Sequence, residues 1–133
     1  MSSTLTLAEV ETISRRMLIA SGASPLQADA TARSITDAEA ESIRTVGLSY
    51  LPTYCDHVTC GKVNGNAVPV VSSPRPGTIV VDAGLGFCRP AYEAGEAALI
   101  AAAQLTVLPC SRLFTRIRPE YLAGLSIALR ARG

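Results

Sequence analysis

Thr78-Ile79-Val80-Val81-Asp82-Ala83-Gly84-Leu85-Gly86-Phe87-Cys88-Arg89-Pro90 is the stretch on which the fold class turns. Thr78–Val81 is wholly β-branched and reads as a short strand. Gly84 and Gly86 then supply a tight turn. Pro90 suits the first turn of a helix, and an alanine-rich segment carries that helix to about Gln104. A strand passing through a glycine turn into a long helix predicts an α/β fold.

Working outward, Val68–Val71 reads as a second short strand, parted from the first by Ser72-Ser73-Pro74-Arg75-Pro76-Gly77. Leu51–Val58 predicts a short helix starting near Pro52, and Gly61, Asn64, Gly65 and Asn66 make a turn-rich connection after it. Arg44–Ser49 reads as a loop around Gly47. The N-terminus predicts two helices. Thr6 with Glu9 forms a capping box, and Val10, Ile13 and Met17 follow at helical spacing until Ser21-Gly22-Ala23. Ser24-Pro25 opens the second helix, where Gln27 predicts a second capping box. Alanines at 28, 30, 32, 38 and 40 beside Ile35 favour close packing. The expected architecture is N-terminal helices beside a small sheet, with one long alanine-rich helix. Downstream, Leu105–Leu108 is a candidate strand, Ser111–Arg118 shows no period, and Leu122–Leu129 suits either helix or strand. No internal repeat is present.

Hydrophobic residues make up 48% of the 133 and charged residues 17%, which excludes a disordered polypeptide. A net charge of +1, with no tryptophan, gives no basis for nucleic-acid binding. Residues 1–110 carry seven Lys/Arg against ten Asp/Glu, whereas residues 111–133 carry five arginines against Glu120 alone. That switch divides the expected organisation into a body over 1–104 and a divergent basic tail over 105–133. Glu9 and Glu11 precede the first apolar stretch, the wrong order for a secretory signal. No run approaches the roughly 18 apolar residues of a membrane span. The expectation is a cytoplasmic chain without a membrane partner, its four cysteines as thiols.

Several elements fall in a specific order: Gly47, Leu51-Pro52, Tyr54, Gly61-Lys62-Val63-Asn64-Gly65, Ala67-Val68-Pro69, Val80-Val81-Asp82-Ala83-Gly84 and Gly86-Phe87, then the long helix. This series resembles the N-terminal part of the malate/L-lactate dehydrogenase-like NAD(P)-dependent oxidoreductases, over roughly Leu5–Gln104 or about the first third of a member. The Gly-Lys-Val-Asn-Gly and Val-Asp-Ala-Gly stretches look most like members that reduce cyclic imino acids or 2-oxo acids. The resemblance implies NAD or NADP as cofactor, a small 2-oxo, 2-hydroxy or cyclic imino acid as partner, and a homo-oligomer.

The same resemblance locates the site and its departures. The family's Ser-His-Gly loop aligns with Thr45-Val46-Gly47. Its histidine exchanges the proton that accompanies hydride transfer, and Val46 cannot do so. The family's substrate-carboxylate arginine aligns with Tyr50, which has no positive charge; Arg44 is the candidate replacement. Beyond Gln104, Pro109-Cys110-Ser111-Arg112-Leu113-Phe114 leaves the family pattern, and the expectation is a truncated or frame-shifted member that is catalytically impaired. A non-catalytic oligomerising or assembly module is the alternative, in line with a mean hydropathy of +0.29.

Three further signals have local readings. Gly84-x-Gly86 lacks a third glycine at Arg89, and no strand–helix–strand unit with a ribose-binding acid is evident, so a tight turn is expected there. Cys55, His57 and Cys60 have no second cluster, and helical positions 55 and 57 point apart, so no metal site is expected. Asp82 at a strand end is expected to accept backbone hydrogen bonds from the following turn.

Overall fold

The computed structural model describes residues 4–75, 78–105 and 112–116, with residues 103–105 and 112–116 as backbone alone. Four helices and three strands follow in the order α1 (Leu7–Ala20), α2 (Pro25–Ala40), α3 (Leu51–Thr59), β1 (Val70–Arg75), β2 (Thr78–Asp82), α4 (Cys88–Leu105) and β3 (Arg112–Arg116).

The first capping box forms in full. Thr6 N–H donates to Glu9 Oε2 at 2.8 Å, and Glu9 N–H donates to Thr6 Oγ1 at 3.3 Å. The second forms by half. Ser24 Oγ accepts from Gln27 N–H, but the Gln27 side chain turns inward to other partners. The buried stripe of α1 also differs from the expected one. It is Val10, Ser14 and Leu18, spaced by four, while Met17 is 41% exposed. Helix α2 presents Ala28, Ala30, Ala32, Ile35 and Ala38 inward, and these small side chains let α1 and α2 pack closely.

Two apolar clusters hold the layers. Val10, Leu18, Ala28, Ile35, Leu51, Cys55 and Phe87 join the first three helices to the turn before α4. Ile79, Val81, Ala83 and Ala91 pin β2 under α4, with Ala98, Leu99 and Ala102 packed against them. Each fully buried aliphatic chain such as Leu18 contributes about 1.5–3 kcal/mol.

The sheet order is β1-β2-β3. Strands β1 and β2 are antiparallel, with Val71 opposite Val81 and a register shift between Ser72 and Arg75. Strand β1 runs on through Ser72–Arg75, which the sequence assigned to a loop; every residue of β1 is exposed, so no alternation marks it. Strand β3 pairs parallel to β2, with Val80 opposite Phe114. The chain therefore contains a strand–helix–strand unit, β2–α4–β3, whose last strand lies at Arg112–Arg116, a segment in which the sequence shows no period. A parallel strand lies far along the chain from its partner, and no local period announces it. Leu105 ends α4 instead of opening a strand; residues 106–108 and 122–129 lie outside the described residues. Among the described residues no helix is long and apolar enough to cross a membrane.

Candidate functional site

The loop carrying Arg44, Thr45, Val46, Gly47 and Tyr50 begins where α2 is forced to stop. Ser42 N–H donates to Glu39 O and Ile43 N–H to Ala38 O, a paired closure that requires left-handed backbone at Ser42, whose φ is 61°. The chain then makes two short 3-10 turns, Arg44–Val46 and Leu48–Tyr50, where the sequence predicts an irregular loop. Tyr50 N–H donates to Gly47 O, and the Ser49 hydroxyl donates to Arg44 O.

Glu39, near the end of α2, reaches across to this loop. Its Oε1 accepts from Leu48 N–H at 2.6 Å. Gly47 is buried against the same carboxylate, and a Cβ there would fall on Oε1 and within 2.9 Å of Cδ. Nothing in the sequence singles out Glu39, because an acidic residue on a helix reads as solvated.

The expected site residues face different surroundings. Val46, 40% exposed, lines an open groove of about 380 Å³ with Asp37, Glu41 and Arg89. Arg89 is held by Asp37 and Glu93, each at 3.1 Å. Tyr50 is not among the groove's lining residues. Its ring meets Tyr54 edge-on at 4.9 Å, and Tyr54 meets Phe87 at 5.7 Å. Burial pushes the Tyr54 phenol above its ordinary value, with Cys88 and Tyr50 adding to the shift. Thr45 and Arg44 are exposed, and the Arg44 guanidinium has no hydrogen-bond or ion-pair partner among the described residues.

Gln27 ties the turn at 84–87 to α2. Fully buried, it donates through Nε2 to Ala67 O at 2.7 Å and accepts at Oε1 from Phe87 N–H at 2.8 Å. Asp82 Oδ1 accepts from Gly84 N–H at 2.9 Å, the turn role expected for it. A Cβ on Gly86 would lie 2.7 Å from Ala67 Cβ and 2.8 Å from Gln27 Nε2. That glycine is therefore required by the chain's own packing. That face of the turn is filled by the chain's own side chains and has no room for a pyrophosphate, so this turn does not form a dinucleotide cradle.

Cys55 is buried in the helical core, the Cys60 thiol donates to His57 O at 3.7 Å, and His57 Nε2 lies 3.3 Å from Lys62 Nζ. Burial, then the Lys62 charge, hold His57 below its ordinary pKa. Among the described residues no three His, Cys, Asp or Glu side chains are grouped to hold a metal ion.

A helical layer, a mixed three-stranded sheet and a strand–helix–strand crossover, with a glycine-centred loop latched to the helices, define an α/β protein of the dehydrogenase-like kind. The chain belongs to the malate/L-lactate dehydrogenase family, whose model matches residues 5–110. It is 40% identical to the Δ1-pyrroline-2-carboxylate reductase of Ancylobacter novellus, over 92% of this chain and 38% of that protein. That alignment and the family match both extend beyond Gln104. The NADP(+)-named (2R)-3-sulfolactate dehydrogenase of Chromohalobacter salexigens is 38% identical over 71% of this chain and 28% of that protein. Among solved structures, the Δ1-piperideine-2-carboxylate reductase of Pseudomonas syringae pv. tomato superimposes with a TM-score of 0.74 and 31% identity, covering 78% of this chain and 31% of its own. A malate dehydrogenase from Entamoeba histolytica, at 20% identity and a TM-score of 0.72, shares the fold. The chain thus spans little more than a third, or less, of the curated relatives it matches.

Proposed function

We propose that the chain is the N-terminal unit of an NAD(P)-dependent oxidoreductase for a small cyclic imino acid or 2-oxo/2-hydroxy acid, and that proton transfer is impaired in it. The observation that carries this is Val46, an aliphatic side chain on the groove beside the latched loop, where the family resemblance puts a histidine. Reduction of a ketone leaves an alkoxide that needs a proton, and losing the group that supplies it costs a factor of about 10²–10⁴. A protonated cyclic imine carries its own proton, so it is the substrate class that tolerates Val46 best. The reductases among the relatives, named for five- and six-membered imino acids, support that choice. Tyr50 at the arginine position weakens carboxylate binding, leaving Arg44 as the loop's free cation among the described residues. NAD or NADP is proposed on the family relation alone, since the 84–87 turn is filled by Ala67 and Gln27.

The test follows NADH and NADPH absorbance with pyruvate, oxaloacetate and a cyclic imino acid, before and after Val46→His. The parent chain is expected to show no turnover above the blank with the two oxo acids, and turnover there overturns the impairment. Equal rates in parent and variant remove position 46 as its cause.

A second reading, a non-catalytic oligomerising module, is favoured by one observation. Strand β1 is exposed along its whole length, with Val70 64% exposed and Val68 before it 68% exposed.

A further inference from the structure

We propose that Glu39 is the positioning residue of the candidate site. Its carboxylate latches the 44–50 loop to α2, setting where Val46 and Tyr50 stand. Three observations converge on it. The Leu48 N–H is a backbone donor released from regular structure at the junction of two 3-10 turns, and Glu39 Oε1 takes it at 2.6 Å, the short length of a charge-assisted hydrogen bond. Gly47 is buried directly beneath that carboxylate, and any side chain at 47 would displace it. Glu39 is also the residue whose carbonyl accepts from Ser42 N–H, so one residue closes α2 through its backbone and anchors the next turn through its side chain.

Without the latch, the loop keeps the Leu48 side chain against the helical core, the Ser49 hydroxyl on Arg44 O, its own 3-10 hydrogen bonds and the Tyr50–Tyr54 ring contact, none of which ties its backbone to α2. Val46 then loses its fixed place on the groove shared with Asp37, Glu41 and Arg89. The latch also explains why glycine stands at 47, independently of backbone conformation: the carboxylate occupies the space a Cβ needs.

That the latched loop faces substrate rests on the function proposed above, so latch and substrate role are tested separately. Amide hydrogen exchange on the full-length, 15N-labelled chain reads Leu48 N–H directly. Glu39→Ala is expected to speed exchange at Leu48 by about ten-fold or more, the value of a lost hydrogen bond to a charged group. Exchange at Val81, in the β2–α4 core, should stay at the parent rate. Glu39→Gln keeps an oxygen acceptor and is expected to restore most of the protection. Gly47→Ala should mimic Glu39→Ala, and the double variant should add little further, since both act on one contact. Parent-like exchange at Leu48 in Glu39→Ala overturns the proposal, as does independent, additive behaviour of the two substitutions. Titration with pyrrole-2-carboxylate, a planar cyclic carboxylate, reads the substrate role. Loop amide shifts that appear in the parent and Glu39→Gln but vanish in Glu39→Ala support positioning. Shifts that persist in Glu39→Ala overturn it. No shift in the parent counts against the substrate reading alone, and Leu48 exchange still decides the latch.

Discussion

Ser42 closes α2 with a left-handed backbone, φ 61°, at the position where α1 has Gly22 and α3 has Gly61. An L-residue in that region costs about 1–2 kcal/mol, part of which glycine returns through its larger unfolded-state entropy. Ser42→Gly is expected to raise stability by about 0.5–1 kcal/mol, read as a higher urea midpoint at unchanged slope; an unchanged or lower midpoint counts against the strain. Leu85 is the parallel case. It follows Gly84 in a turn closed by Gly86 N–H on Ala83 O, with φ 63° and a half-exposed side chain that packing does little to compensate. At this scale the sequence disclosed the glycines but not the reasons for them. Gly84 meets a positive φ, as its type suggests, whereas Gly47 and Gly86 are dictated by Glu39, Gln27 and Ala67, side chains distant in the sequence.

Among the elements, the helices were legible because their signals are local. Thr6–Glu9 and Ser24-Pro25 mark starts, and alanine spacing marks the inner face of α2. What escaped was any residue whose partner comes from another element. Gln27 reads as a cap and is instead the buried pin between α2, Ala67 and Phe87. Gln27→Leu fills a similar volume but strands a buried carbonyl and a buried N–H, and should cost about 2–4 kcal/mol. Thermal unfolding is the check, with a fall in Tm of roughly 10 °C expected; a fall of a degree or two would mean that water replaces the amide. Between α2 and α4, Glu93 is clasped by Arg33 at 2.7 Å and Arg89 at 3.1 Å. Burial pushes its carboxyl up, but the hydrogen bonds from Arg33 and Arg89 outweigh this and hold it below the ordinary value of 4.5. A depressed folded pKa means stability present above pH 4.5 and lost as pH falls through the lowered value. Glu93→Gln should therefore cost up to about 1 kcal/mol at pH 7, a gap to the parent that closes as pH falls below 4.5. A gap constant with pH would assign the cost to packing.

For the whole molecule, the α/β class and a small sheet were legible from the strand signals around 68–71 and 78–81 and the passage of β2 into α4, but the full length of β1 and the third strand were not. Strand β1 carries Ser72, Ser73 and Pro74, poor strand formers that an edge position tolerates, and β3 shows no period of its own. The sheet order leaves the outer edge of β1 without a partner among the described residues. An exposed edge flanked by valines is a template for pairing with a second chain, and a lysine there is how natural sheets block such pairing. Val70→Lys replaces a side chain that is 64% exposed, so it should leave stability within about 0.5 kcal/mol of the parent. If the oligomerising reading holds, light scattering finds the parent associated and the Val70→Lys chain shifted toward monomer with an unchanged Tm. A parent that stays monomeric at every concentration removes that reading. An associated parent indifferent to Val70→Lys moves the contact away from β1, to another apolar surface such as the groove between α2 and α4 that Pro90 and the half-exposed Leu26 line.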